Sequence, residues 1–220
     1  GAAVRAREER LDVLINNAGV WNSTYELTED GIETVFATNH LAYFLLTHEL
    51  YPLLAAAPHS RVINVASDSH QQIKGMRWDD LGLKDNYHGL RSYAQSKLAN
   101  VLFTYELQRR FPNDKMDAFA VQPGLVQTDI GIKGNNWLHA LAWRVRRRMS
   151  GHKTPAEGAA TSIYLATAPE VSGRGGTYWD DCRPKESYSG SNDPAEAERL
   201  WQESLRLCGL PSFFTTPTIP

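Results

Sequence analysis

Cysteine is scarce in this chain. Cys182 and Cys208 are the only two, too few for a disulfide framework or a four-thiolate zinc site. They fit a reducing compartment, cytoplasmic or at the cytoplasmic face of a membrane. Charge of one sign is lacking as well. With 23 basic and 25 acidic side chains the net charge is -2, so no basic excess argues for a nucleic-acid partner. No run is apolar enough for a membrane span. The most apolar stretch, 41–57, is interrupted by Thr47, His48, Glu49 and Pro52, whereas a spanning helix needs about 20 mostly apolar residues. The opening GAAVRAREER lacks the apolar run of a signal peptide. The 7 histidines show no metal-ligand spacing, so no metal is expected. Internal repeats and low-complexity linkers are absent too. What remains is ordinary globular usage, 42% hydrophobic and 22% charged, in a length that suits one domain.

What is present is an alternation of short apolar runs with amphipathic stretches. Residues 11–16 (LDVLIN), 61–65 (RVINV), 117–121 (DAFAV) and 175–179 (GGTYW) read as strands. The first three are continuous rather than alternating, as strands buried on both faces are. Between them the pattern predicts helices over 29–54, 92–111 and 154–167, with a last one from 193 to Gly209. Thr28, followed by Glu29 and Asp30, reads as the cap of the first. Thr154 with Pro155 and Glu157 reads as a capping box, and Asp193, Pro194 and Glu196 repeat the pattern. Residues 187–192 (SYSGSN) read as a flexible loop. The expected fold is α/β, a doubly wound parallel sheet with helices on both faces. Ligands in such a sheet sit beyond the C-terminal strand ends.

The chemically informative residues cluster there. Tyr93 and Lys97 lie four apart in YAQSK, which stacks them on one helix face, about 6 Å apart along the axis. An ammonium beside a phenol favours the phenolate, so the pair is expected to work as an acid-base couple nearer neutral pH. Such a pair also occurs by chance on many helices. Ser67 ends the second strand, where its hydroxyl either orients a substrate oxygen or merely caps a loop. Asn39 sits inside a helix, a poor place for its side chain, and reads as holding a kink or a water; a solvent-facing amide is the alternative. Asn16, Asn17, Ala18 and Gly19 close the first strand, and Pro123, Gly124 and Thr128 the third. Both sets either let a ligand approach the backbone or are plain turns.

These pieces together resemble the short-chain dehydrogenase/reductases. NNAG at 16–19, Asn39, Ser67, Tyr93-x-x-x-Lys97 and Pro123-Gly124 occur in the family's order. The long spacing from Ser67 to Tyr93 and the segment SKLANVLF at 96–103 resemble the retinol dehydrogenase-like branch. The resemblance covers about residues 10 to 180. It implies a Rossmann-type fold and hydride transfer between NADP (or NAD) and an apolar alcohol, aldehyde or ketone. It makes Tyr93 the acid/base, and Lys97 the ribose contact that lowers the Tyr93 pKa. Ser67 becomes the holder of the substrate oxygen, and Asn39 the holder of a relay water. Asn17, Ala18, Gly19, Lys97, Pro123, Gly124 and Thr128 become cofactor contacts. Residues 130–152 fall where the family places a substrate lid, so Trp137, Leu138, Leu141 and Trp143 become the lining of an apolar pocket.

The sequence departs from the family pattern at one end. No glycine-rich phosphate loop precedes the first strand, so the chain is expected to be the C-terminal part of the fold, a partial Rossmann-type sheet lacking its N-terminal βαβ unit. The first strand would then be an exposed edge, and the pyrophosphate would lack a helix N-terminus. The residue that tells NADP from NAD is absent with that unit. Weak cofactor binding and low turnover by these 220 residues follow. The alternative is a catalytically silent fragment that dimerises, through the helices over 29–54 and 92–111, or binds a partner. The basic, aromatic stretch 137–149 carries a further alternative, peripheral membrane contact.

Overall fold

The computed structural model describes residues 1–111, 115–126 and 153–214. Four strands, β1 (Val13–Asn16), β2 (Ser60–Val65), β3 (Met116–Gln122) and β4 (Thr177–Asp180), pair in parallel in that order. A fifth, β5 (Arg183–Lys185), returns antiparallel along β4. The apolar runs follow from burial on both faces. Ile63, Val65, Phe119, Val121 and Trp179 face one way, onto Leu165 of the helix α3 (Pro155–Thr167). Val62 and Ala118 face the other way, onto α1 (Ala42–Ala56), α2 (Gly89–Arg110) and α4 (Pro194–Leu207). There the aromatic rings of Phe44, Phe103, Trp201 and Phe213 interlock, with Trp201 and Phe213 centroids 4.5 Å apart. Among the described residues β1 is paired on one side only, by β2, and its Ile15 is 40% exposed.

Several expectations need correction. The first long helix does not start at Thr28. The Thr28 hydroxyl caps a turn instead, accepting from the Ile32 amide at 3.3 Å. The helix begins at Thr34, where the Glu33 carboxylate accepts from the Val35 and Phe36 amides at 3.0 and 2.8 Å. A carboxylate at that point meets two orphan donors and the positive end of the helix dipole. α2 starts three residues earlier than read, at Gly89. The 187–192 segment is tied down. Ser191 is buried, and Ser187 links Tyr105 to Ser191 at 2.8 Å on each side. Thr154 and Glu157 do form the reciprocal box. Asp193 caps α4 alone, because Glu196 accepts instead from the Trp78 indole. Gly209 ends α4 with φ +65, the conformation glycine tolerates best. Among the described residues, no helix is long and apolar enough to cross a membrane.

Candidate active site

The parallel register brings the C-terminal ends of β1, β2 and β3 to one side of the sheet, beside α2. Lys97 lies one helical turn beyond Tyr93. Its Nζ donates to the Val65 carbonyl at 2.8 Å and lies 5.5 Å from the Tyr93 ring centre. The Tyr43 ring is 5.8 Å away on another side, and the Tyr43 hydroxyl donates to the Ala18 carbonyl at 2.7 Å. Ser67 follows β2, caps the turn Asp68–Gln72 by accepting from the Ser69 amide at 3.2 Å, and lies close enough to Tyr93 to favour its phenolate. The loop-capping reading of Ser67 holds. The structure gathers Ser67, Tyr93, Lys97 and the Ala18 backbone around one spot. Asn17 and Ala18 are exposed there, and Gly19 is half-buried.

Asn39 is buried in a π-helical turn, Ala37–Leu41, that runs between Thr34–Phe36 and α1. Its amide oxygen accepts from the Val20 amide at 2.7 Å, and its nitrogen donates to the Val20 carbonyl and to the Ser96 hydroxyl. The side chain is thus a clamp between the helix, the loop after β1 and α2. A single π-turn in an α-helix often marks a functional site. Below it, the Asn16 amide donates to Thr47 and to Asn64, and Asn64 donates to Thr104. This buried ladder locks the ends of β1 and β2 to α1 and α2.

Pro123 and Gly124 leave β3 beside the Ser67 turn, since Gln122 donates to the Asp68 carboxylate at 3.0 Å. Gly124 has φ +86, and a Cβ there would meet the Lys153 side chain at 3.0 Å. A larger residue would be strained and crowded at this turn. Thr128, Trp137, Leu138, Leu141, Trp143 and the whole lid, 130–152, lie outside the described residues.

The electrostatics differ from the sequence expectation. Burial pushes the Tyr93 phenol up to about 12, and the Ser67 hydroxyl pulls it only partly back. Burial also pushes Lys97 down, to about 7. The amine hydrogen-bonds a carbonyl, and among the described residues no carboxylate pairs with it, so desolvation disfavours the ammonium. Tyr93 is accordingly a neutral proton donor near pH 7, beside a lysine that titrates in the same range. Sequence reasoning missed Tyr43, Glu33 and Ser96. Glu33 also accepts from the Tyr87 and Ser92 hydroxyls, at 3.2 Å each, so it ties the start of the first long helix to the turn of α2 that carries Tyr93.

The donor set fits the nicotinamide-ribose end of a dinucleotide. A buried amine stands near the exposed Asn17 and Ala18 and the half-buried Gly19, and Gly124 leaves a side-chain-free turn at the end of β3. It fits the pyrophosphate less well at the helix after β1, because the Glu33 carboxylate already occupies that N-terminus and repels a phosphate.

A family model described as short chain dehydrogenase matches residues 2–139. Retinol dehydrogenase 14 of Homo sapiens is 40% identical over 209 residues, 92% of this chain and 60% of that protein. Retinol dehydrogenase 13 of Homo sapiens is 39% identical, over 95% of this chain and 64% of that protein. The chain thus spans less than two thirds of these relatives. Among solved structures, an uncharacterized protein from Mycobacterium paratuberculosis superposes with TM-score 0.70 at 30% identity, covering 94% of this chain and 70% of that one. An NADPH-bound carbonyl reductase from chicken fatty liver superposes with TM-score 0.55 at 22% identity, over 85% and 69% of the two chains, a likeness of fold.

Proposed function

The chain belongs to the short chain dehydrogenase family, and on that premise we propose that it carries the acid-base and substrate-holding centre of an NADP- or NAD-dependent oxidoreductase. The reaction is the interconversion of an apolar alcohol with its aldehyde or ketone. The observation that carries this reading is the Lys97 amine 5.5 Å from the Tyr93 ring centre, with Ser67 beside Tyr93, at the C-terminal ends of parallel strands.

In the reducing direction the substrate carbonyl oxygen accepts from the Ser67 and Tyr93 hydroxyls. The nicotinamide, when bound, supplies the hydride to the carbonyl carbon. Tyr93 gives its proton to the oxygen as negative charge develops there. A phenol held neutral by burial is ready for that step. In the oxidising direction Tyr93 accepts the proton, and a charged Lys97 stabilises the phenolate. Asn17, Ala18, Gly19, Lys97, Pro123 and Gly124, with Thr128, hold the nicotinamide-ribose end. Asn39 keeps the helix and the loop after β1 in register with α2, beside the place of a relay water. Trp137, Leu138, Leu141 and Trp143 line the pocket, which makes the substrate large and apolar. The exposed Leu45 and Leu46 on α1 support dimerisation; membrane contact through 137–149 rests on sequence alone.

The test is reduction of a retinal-sized aldehyde and of a small polar one, with NADPH and with NADH, by the wild type and by Tyr93→Phe. Preference for the large substrate and its loss in the variant support the reading. Faster turnover of the small polar carbonyl overturns the apolar pocket.

A further inference from the structure

His70 is buried, three residues beyond Ser67, and lies outside the chemistry described above. Its Nδ1 is 2.6 Å from the Ser67 carbonyl oxygen, and its Nε2 is 3.0 Å from the Tyr188 amide nitrogen. A carbonyl can only accept and an amide N–H can only donate. The two partners therefore fix one form of the ring: neutral, with its proton on Nδ1. The Ser67 carbonyl also accepts from the His70 amide. The neighbouring Asp68 is held from the same side, by the Tyr178 hydroxyl of β4 at 2.9 Å and by Lys185 of β5 at 2.6 Å. The Ser67 backbone is thus moored through His70 to Tyr188, and its neighbour Asp68 to the β4–β5 hairpin.

We propose that His70 is a positioning residue for Ser67, transmitting the placement of the 185–191 segment to the hydroxyl that holds the substrate oxygen. The role in turnover rests on the reading of Ser67 given above. The link itself does not. A second proton on Nε2 would face the Tyr188 N–H and break the link. The titratable groups around the ring are Asp68 on its own turn, Lys185 of β5, Tyr178 of β4, whose ring centre is 5.0 Å away, and Tyr105 of α2, which meets Ser187. Burial outweighs them and holds the imidazole below its ordinary value of 6.5, so the link stays closed through neutral pH.

The experiment joins nitrogen-detected NMR of the histidine rings with kinetics of two variants. Wild-type His70 is expected as the Nδ1–H tautomer, with a midpoint below 6.5. An Nε2–H tautomer, or a midpoint at or above 6.5, overturns the link. His70→Asn keeps a donor near the Nδ1 position, whereas His70→Phe keeps none. Per folded molecule, His70→Phe should lower kcat about tenfold, the worth of one hydrogen bond, with a smaller change in KM. His70→Asn should recover most of that loss. An unchanged kcat in His70→Phe, or equal losses in both variants, overturns the positioning role. Should neither variant nor wild type turn over, the functional reading fails on its own. The Ser67 carbonyl carbon shift then decides the link: it should move in His70→Phe and return in His70→Asn, and a shift equal in all three proteins overturns it.

Discussion

Lys97 should make the fold more stable as the pH rises. The residue is 2% exposed, and its amine is pushed down to about 7, from an ordinary value of 10.5. Between those two values the unfolded chain binds a proton that the folded chain does not, so stability increases with pH across that window. At pH 7 the missing proton costs the folded state about 4 kcal/mol, and at pH 10 less than about 1 kcal/mol, at about 1.4 kcal/mol per pH unit. Lys97→Met fills similar space without a charge. It loses the hydrogen bond to Val65, worth about 1 kcal/mol. The variant should therefore be more stable than wild type by about 3 kcal/mol at pH 7, and no more stable at pH 10. Urea unfolding of both proteins at pH 7, 8, 9 and 10 measures the difference. Other groups that titrate in this range are common to both proteins and cancel. A difference that does not change with pH would refute the desolvation argument. So would a variant that is the less stable protein at pH 7. Should the outcome hold, the lysine is retained at a cost to the fold, which is how a residue kept for its chemistry behaves.

Ser67→Ala should lower kcat about 100-fold, as loss of one donor to a developing oxyanion does, with little change in urea midpoint. An unchanged kcat would leave Ser67 a structural cap alone. Glu33→Ala should cost about 1–2 kcal/mol in urea unfolding, because two amides at the start of the first long helix lose their partner. Phe44→Ala should cost about 3–5 kcal/mol, since Phe44 is fully buried among Phe103, Trp201 and Phe213. A cost under about 1 kcal/mol would mean that this aromatic cluster repacks freely.

The sequence made the parallel strands and the Tyr93–Lys97 pair legible for one reason: each has a local pattern. An apolar run such as RVINV can be buried on both faces only in a covered sheet, and a four-residue spacing has one meaning on a helix. β5 had no such pattern. Arg183–Lys185 is exposed throughout and contains Pro184, which an edge strand tolerates because its N–H side needs no partner. The helix start at Glu33 was hidden by a stronger local signal at Thr28, and the longer-range bridge between Leu27 and Glu33 decided the matter. Asn39 was visible as an anomaly, but its partners Val20 and Ser96 are set by tertiary packing. The Tyr93 pKa was misjudged for the same reason. Spacing shows that an amine is near, whereas burial, which outweighs it, depends on the whole fold. His70 gave no signal, since its two partners lie 3 and 118 residues away in sequence.

The central claim is that Tyr93 delivers the proton, and single-turnover reduction of a retinal-sized aldehyde tests it most directly. The cofactor is held in large excess. Wild type is compared with Tyr93→Phe, which keeps the ring packing and removes only the hydroxyl. The account predicts a reduction step in the wild type that is lost in the variant, with cofactor fluorescence on binding unchanged between them. A variant that keeps more than a few per cent of the wild-type rate, or a wild type that reduces no carbonyl at saturating cofactor, would contradict it.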